Sequence, residues 1–266
     1  MTDHNRTVCI ITFGCQMNKL DSEVMRAELA GAGFGLTEEP DEADVVIYNT
    51  CSVRQHAEDK VFSHLGAWRR RAQEDENFVL GVVGCMAQRL GAELTQRFPF
   101  LKLVCGSRAF LRVPEHLRAI MRGEGPVLDI GWDGPLRFAR DPRMRRSAHS
   151  AYVSIMRGCN NFCSYCIVPH VRGREVSRAP EDIAQEVRAL AADGVREITL
   201  LGQNVNSYGT DAGKPGLADL LARINGVAGL KRIRFVTSHP KDVSAELLRA
   251  VAGLDKVCEH LHAPPQ

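Results

Sequence analysis

Along this chain, short runs of β-branched and other apolar residues alternate with stretches whose apolar positions recur at helical spacing. Residues 8–13 predict a strand and 21–32 a helix closed by Gly33, with Asp21 and Ser22 as candidate N-caps. Further strands are predicted at 45–49, 78–83 and 101–104, followed by helices running to about residue 72, over 87–97 and over 111–122. Strands so uniformly apolar, each followed by a helix, suit a parallel sheet covered on both faces. The rhythm breaks over 123–150, where Gly123, Gly125, Pro126, Gly131, Gly134, Pro135 and Pro142 stand among charges, as in an interdomain linker. It resumes with strands at 151–156, 197–201, 232–236 and 257–262, separated by helices at 180–193, 217–224 and 244–252. The expected class is α/β: a parallel-sheet domain over 5–124, a basic linker over 125–145, and over 146–266 a partial βα barrel that stops after its fourth strand.

Charge and length narrow the picture. No stretch approaches the roughly 20 consecutive apolar residues of a membrane span, and the polar residues 1–7 lack the apolar core of a signal peptide. A cytoplasmic protein without a membrane partner is expected. A net charge of +2 does not mark a nucleic-acid binder, so any RNA-facing surface must be local. Arg137, Arg140, Arg143, Arg145 and Arg146, set against the single acid Asp141, form the candidate patch, with a solvated basic tether as the plainer reading. Arg69, Arg70 and Arg71 read as a helix face turned to water.

The cysteines change the picture most. Nine thiols, an odd number, in a reducing compartment argue for metal or redox chemistry over disulfides. Cys159, Cys163 and Cys166 form C-x3-C-x2-C in the loop after a predicted strand, where βα barrels place their sites. Three such thiolates can hold three irons of a [4Fe–4S] cube and leave the fourth open to a ligand that is not protein. The alternative is a zinc site with His170 as fourth ligand, although zinc more usually shows paired C-x2-C knuckles. Cys15, Cys51 and Cys85 each fall one or two residues past the end of a different predicted strand, so a parallel sheet would bring them to one edge. Cys9 and Cys258 read as small buried hydrophobes. Cys105 also ends a strand, and spacing alone does not separate it from the ligand candidates.

The segment from Tyr152 to Arg174, YVSIMRGCNNFCSYCIVPHVRGR, resembles the cluster loop of the radical S-adenosylmethionine methylthiotransferases. The likeness extends to TFGCQMNKLDSE around Cys15, NTCSVR around Cys51 and GVVGCMAQ around Cys85, and continues through LLGQNVNSY, IRFVTSHP and HLHAPPQ. It implies that Cys15, Cys51 and Cys85 hold one [4Fe–4S] cluster and Cys159, Cys163 and Cys166 a second, and it leaves Cys105 structural. In that superfamily the open iron of the second cluster chelates S-adenosylmethionine and an electron from it yields a 5′-deoxyadenosyl radical, so the cofactor carries the hard chemistry. Gln203, Asn204, Ser238 and His239 follow barrel strands and are expected to line the cofactor pocket, or else to cap helices and fill turns. Arg172 and Arg174 are read either as phosphate contacts or as plain surface.

Within the family one branch modifies isopentenylated adenosine beside the tRNA anticodon, another threonylcarbamoyladenosine in tRNA, and a third an aspartate of a ribosomal protein. The residues following Cys15 and Cys51 most resemble the first branch. The implied partners are the tRNA anticodon loop and a reducing protein such as flavodoxin or ferredoxin, with the enzyme a monomer. Two molecules of S-adenosylmethionine would serve, one methylating sulfur held at the first cluster and one activating C2 of the adenine. The chain departs from the family at Ala263, where leucine is usual, and ends inside that motif. The remaining barrel strands and the family's small RNA-binding β-domain are absent from these 266 residues. A non-catalytic iron–sulfur or zinc-binding module stands as the alternative.

Overall fold

The computed structural model describes residues 6–53, 55–133, 144–145, 147–213 and 215–263. Two compact units are present, one comprising Met1–Arg140 with His170–Arg172, the other Asp141–Pro169 with Gly173–Gln266. None of the described helices is long and apolar enough to cross a membrane.

The first unit is built on a six-stranded, wholly parallel sheet: β1 (Thr7–Phe13), β2 (Gly35–Thr37), β3 (Val45–Thr50), β4 (Val79–Gly84), β5 (Leu103–Cys105) and β6 (Val127–Asp129), in the order β2-β1-β3-β4-β5-β6. All residues of β3 and β4 are buried, as strands covered on both faces must be. Helices α1 (Gln16–Gly31), α2 (Gln55–Glu74), α3 (Cys85–Leu90), α4 (Ala92–Arg97) and α5 (Val113–Met121) follow the strands. Val46, Tyr48, Val61, Leu65, Leu80, Val82, Met86 and Val104 belong to the core on one side of the sheet.

Several sequence expectations are corrected here. Helix α1 begins at Gln16 with Cys15 at its N-cap, so Asp21 and Ser22 are not caps but buried mid-helix groups. Their polar atoms find partners deep in the fold, Ser22 Oγ lying 2.7 Å from Thr12 Oγ1, which outweighs the local capping they would offer. The helix expected over 87–97 is broken at Gly91, whose φ of +49° only glycine adopts without strain. Strand β6 lies where a linker was expected; Gly106 N donates to Asp129 O at 2.7 Å, and the Asp129 carboxylate accepts from Arg112 Nε at 2.8 Å. Arg71 is not turned to water, since it donates to Asp41 O and Ala43 O and packs 4.2 Å over the Phe78 ring. Cys9 is buried in β1, as read from the sequence, and Cys105 is buried in β5, whereas Cys258, read as a buried hydrophobe at the start of a strand, is half-buried and outside any strand.

The second unit holds a parallel sheet of three strands, β7 (Ser150–Ser154), β10 (Glu197–Leu201) and β11 (Arg232–Phe235), in the order β11-β10-β7. Between β7 and β10 lie β8 (Met156–Arg157), helix α6 (Val168–Arg172) and β9 (Val176–Ser177); β8 and β9 pair antiparallel. Helix α7 (Pro180–Ala192) starts with Pro180 and two acids in its first turn, all favourable at an N-terminus. Helix α8 (Leu217–Asn225) follows β10, and α9 (Ala245–Gly253) starts at Ser244, whose Oγ accepts from Leu247 N at 3.1 Å. The strand expected over 257–262 does not form: Val257 makes an isolated bridge to Ile233, while Glu259 and His260 are exposed and give a strand no apolar face to bury. No closed barrel exists among the described residues.

Candidate functional site

Strands β1, β3 and β4 end level with one another, Phe13 standing opposite Thr50 and Thr50 opposite Gly84. Cys15, Cys51 and Cys85 follow those ends, so three thiols far apart in sequence meet at the C-terminal edge of three adjacent parallel strands. The backbone makes room for them. A Cβ on Gly14 would lie 2.6 Å from Asn18 Oδ1 and 2.9 Å from Cys51 Cβ, and one on Gly84, where φ is +93°, 2.5 Å from Asn49 Oδ1.

The thiols are unequal. A hydrogen bond from Cys51 holds the Cys15 thiol well below its ordinary range, helped by the Arg172 charge. The same bond, with burial, pushes Cys51 up, and burial pushes Cys85 up. Asn18 and Asn49 brace the edge from behind: Cys15 Sγ donates to Asn18 Oδ1 at 3.2 Å, Asn18 Nδ2 to Asn49 Oδ1 at 3.0 Å, and Asn49 Nδ2 to Ser22 Oγ at 2.8 Å. Arg172, read from the sequence as phosphate contact or surface, is buried here: Nη1 donates to Asp21 Oδ2 at 2.7 Å and Nε to Cys85 Sγ at 3.0 Å. Among the described residues no three Cys, His, Asp or Glu side chains already stand as a metal-holding group. The donor set nonetheless suits a thiolate-held iron–sulfur cluster. Three thiols converge from separate strand ends, two glycines leave the approach clear, and a buried cation waits beside them.

In the second unit the chain leaves β7, makes the short β8, and turns at Gly158 with φ of +82° into the loop carrying Cys159, Cys163 and Cys166. Cys159 N donates to Gly173 O at 3.0 Å and Cys166 N to Cys163 O at 2.9 Å, so the loop is closed on itself. Burial pushes the Cys159 thiol up to about 11, and the other two sulfurs add to that effect. Cys163 Sγ lies 3.4 Å from His239 Nε2. His170, the fourth ligand of a zinc reading, groups with the first unit.

The pocket candidates take varied places. Gln203 Oε1 accepts from Gly158 N at 2.6 Å and so shapes the cysteine loop. Asn204 donates to Asp242 Oδ2 at 2.6 Å and accepts from His239 N. Ser238 Oγ is buried without a hydrogen-bond partner among the described residues, next to Thr237, whose φ of +71° is strained for a β-branched residue. Beside the loop opens a cleft of about 550 Å³ lined by Asn160, Asn161, Glu175, Asn206, Lys241 and Asp242 among others. Glu175 is buried and accepts from Asn160 N at 3.1 Å and Ser207 Oγ at 2.8 Å. Glu175, Asp242 and Asn161 went unnoticed in the sequence, where nothing in their spacing ties them together; Asn49 carried a signal, a polar residue at the end of an otherwise apolar strand.

Of the basic stretch, Arg137, Arg140, Arg143 and Arg146 lie outside the described residues. Arg145 is paired with Asp193, Nη1 to Oδ2 at 2.6 Å.

The turn at Gly158 yields a first prediction. A Cβ there would collide with the Arg174 carbonyl and lie 2.6 Å from that of Gly173. Both neighbours are backbone, so Gly158→Ala should destabilise the second unit by at least the roughly 1–3 kcal/mol of a strained left-handed residue. Hydrogen exchange over 156–177 reads it; unchanged protection there would show that the turn relaxes freely.

Residues 7–106 match the family described as "Uncharacterized protein family UPF0004", and residues 153–266 match the Radical SAM superfamily. The chain is 48% identical to the tRNA-2-methylthio-N(6)-dimethylallyladenosine synthase of Caldicellulosiruptor saccharolyticus, covering 98% of this chain and 56% of that protein. It is likewise 48% identical to the synthase of that name from Geobacter sulfurreducens (98% and 59%) and 44% identical to that of Clostridium beijerinckii (100% and 59%). The chain thus spans somewhat over half the length of these relatives. Among solved structures, the radical S-adenosylmethionine methyltransferase TsrM of Kitasatospora setae aligns with a TM-score of 0.60 at 15% identity, over 95% of this chain and 58% of that one, in a form with tryptophan substrate and a SAM analog bound. A second form of that enzyme, with cobalamin and a [4Fe-4S] cluster bound, aligns at 0.59. At such identity the likeness is one of fold alone.

Proposed function

Since the chain belongs to the radical S-adenosylmethionine methylthiotransferase family, we propose that it carries both cysteine sets of an enzyme that adds a methylthio group to C2 of N6-isopentenyladenosine beside the tRNA anticodon. One observation above all supports this reading: two separate sets of three cysteines, one at the level ends of β1, β3 and β4, the other in the loop that follows β7. Membership of the radical SAM superfamily brings with it S-adenosylmethionine and a [4Fe–4S] cluster; a second cluster belongs to the proposal. When loaded, the cluster at Cys159, Cys163 and Cys166 would supply the adenosyl radical, and the one at Cys15, Cys51 and Cys85 would hold the sulfur to be methylated and transferred.

The chain's own residues have distinct tasks in this scheme. Gln203 fixes the turn into the loop through Gly158, and Asn204 and Asp242 hold the segment bearing Ser238 and His239 against it. The buried Ser238 hydroxyl and the Asn206 Oδ1, both without hydrogen-bond partners among the described residues, offer bonds to a polar cofactor nearby. Phe162 and Tyr165 stand exposed in the loop, on the side from which a splayed adenine, the form in which an anticodon-loop base is reachable, would approach. Flavodoxin or ferredoxin would deliver the electron.

Loss of Cys15, Cys51 or Cys85 should spare S-adenosylmethionine cleavage and stop methylthio transfer. Single alanine variants in the whole enzyme, assayed anaerobically for 5′-deoxyadenosine and for methylthiolated nucleoside, separate the two; equal loss of both with the fold intact counts against a division of labour. Mass spectrometry of tRNA nucleosides from a strain lacking the gene tests the substrate. Persistence of the methylthio nucleoside there would refute the assignment, and stoichiometric zinc in the purified protein would favour a non-catalytic module.

A further inference from the structure

The first unit buries a cation for which the reaction above has no task. Arg172 is 4% exposed. Nη1 is engaged by Asp21 and Nε by the Cys85 sulfur, while Nη2, also buried, has no hydrogen-bond partner among the described residues. A guanidinium is planar, and its Nε–H and one Nη2–H run side by side as the fork that grips two neighbouring acceptors. One prong rests on Cys85 Sγ and the other is unused, so the place beside that sulfur suits a second acceptor. Sulfur is at hand along that edge, where Cys15 and Cys51 follow the level ends of neighbouring strands.

Resting on the reading that Cys15, Cys51 and Cys85 hold a cluster, we propose that Arg172 is that cluster's hydrogen-bond and charge partner, and that the Arg172–Asp21 pair sets how readily it accepts an electron. Hydrogen bonds to cluster sulfurs and the net charge around them govern reduction potential. A cation donating to a ligand sulfur stabilises the reduced, more negative form. A carboxylate beside that cation offsets it. The two residues therefore act with opposite sign, which a purely structural salt bridge does not predict.

The test uses the full chain carrying Cys159→Ala, Cys163→Ala and Cys166→Ala, so that only the remaining cluster is seen after anaerobic reconstitution with iron and sulfide. Its midpoint potential is followed by electron paramagnetic resonance, alone and with Arg172→Gln, Arg172→Lys or Asp21→Asn added. The expected result is a lower potential for Arg172→Gln, partial recovery for Arg172→Lys, and a higher potential for Asp21→Asn. Unchanged potentials with the cluster retained, or shifts of the same sign in Arg172→Gln and Asp21→Asn, overturn the proposal. Should Arg172→Gln not fold, the near-isosteric Asp21→Asn decides alone, an unchanged or lowered potential refuting it. If the background chain takes up no cluster at all, the assignment of Cys15, Cys51 and Cys85 fails, and this inference falls with it.

Discussion

Alanine at Cys159, Cys163 or Cys166 is expected to abolish 5′-deoxyadenosine formation, a larger loss than the roughly 10–100-fold seen when only a supporting hydrogen bond at a metal site is removed. Each thiolate would hold one iron, and the cofactor's iron is open only while the other three are held. The loop itself should survive the change. Its closure depends on backbone bonds, Cys159 N to Gly173 O and Cys166 N to Cys163 O, and on Gly158 N to Gln203 Oε1, none of which uses a sulfur. Iron and sulfide per chain, measured beside 5′-deoxyadenosine after anaerobic reduction, should show one cluster lost and the other kept. Full cleavage activity in any one of the three variants would sink the assignment.

Asp21→Ala should lower the stability of the iron-free first unit by about 3–5 kcal/mol, because it leaves Arg172 as an uncompensated charge in a buried site. The carboxylate and the guanidinium are 3% and 4% exposed, so water can do little to replace the lost partner. Reconstitution should reduce that penalty, since a thiolate-held cluster brings negative charge to the same cation. Both tryptophans, Trp68 and Trp132, belong to the first unit, so their fluorescence during guanidinium unfolding reports its stability apart from the second. Equal penalties with and without iron would mean that the cluster and Arg172 do not sense one another.

Much of this architecture could be read from apolar runs alone. Strands β3 and β4 are long and buried on both faces, and a parallel sheet has one edge for ligands, so the meeting of Cys15, Cys51 and Cys85 follows from three strand ends. What escaped has physical causes. Strands β2 and β6 have three residues each, too few to show a period, and β6 gains its place from Asp129 contacts that involve residues of α5 and the turn before it. Asp21 and Ser22 look like caps because a cap is the commonest use of such residues beside an apolar run, whereas their actual partners come from other elements. Arg172 is the extreme case: its carboxylate partner is 151 positions away, and a sequence of the form Arg-Gly-Arg suggests a surface turn. The expected strand at 257–262 failed for the converse reason, an apolar start at Val257 without the alternation to sustain it.

If both cysteine sets hold iron as proposed, the level ends of β1, β3 and β4 also bear on the order in which it arrives. Cys159, Cys163 and Cys166 lie within a few residues of each other, so a chain emerging unfolded already presents them as a chelate at little cost in loop closure. Cys15, Cys51 and Cys85 are drawn from strands that must first pair in register, β1 with β3 and β3 with β4. Their affinity for iron therefore includes the free energy of assembling that sheet. On the proposed reading, one set could take metal before folding and the other only after it, so a maturation machinery that supplies iron early would fill the contiguous loop while the sheet-edge site still waits for its third strand.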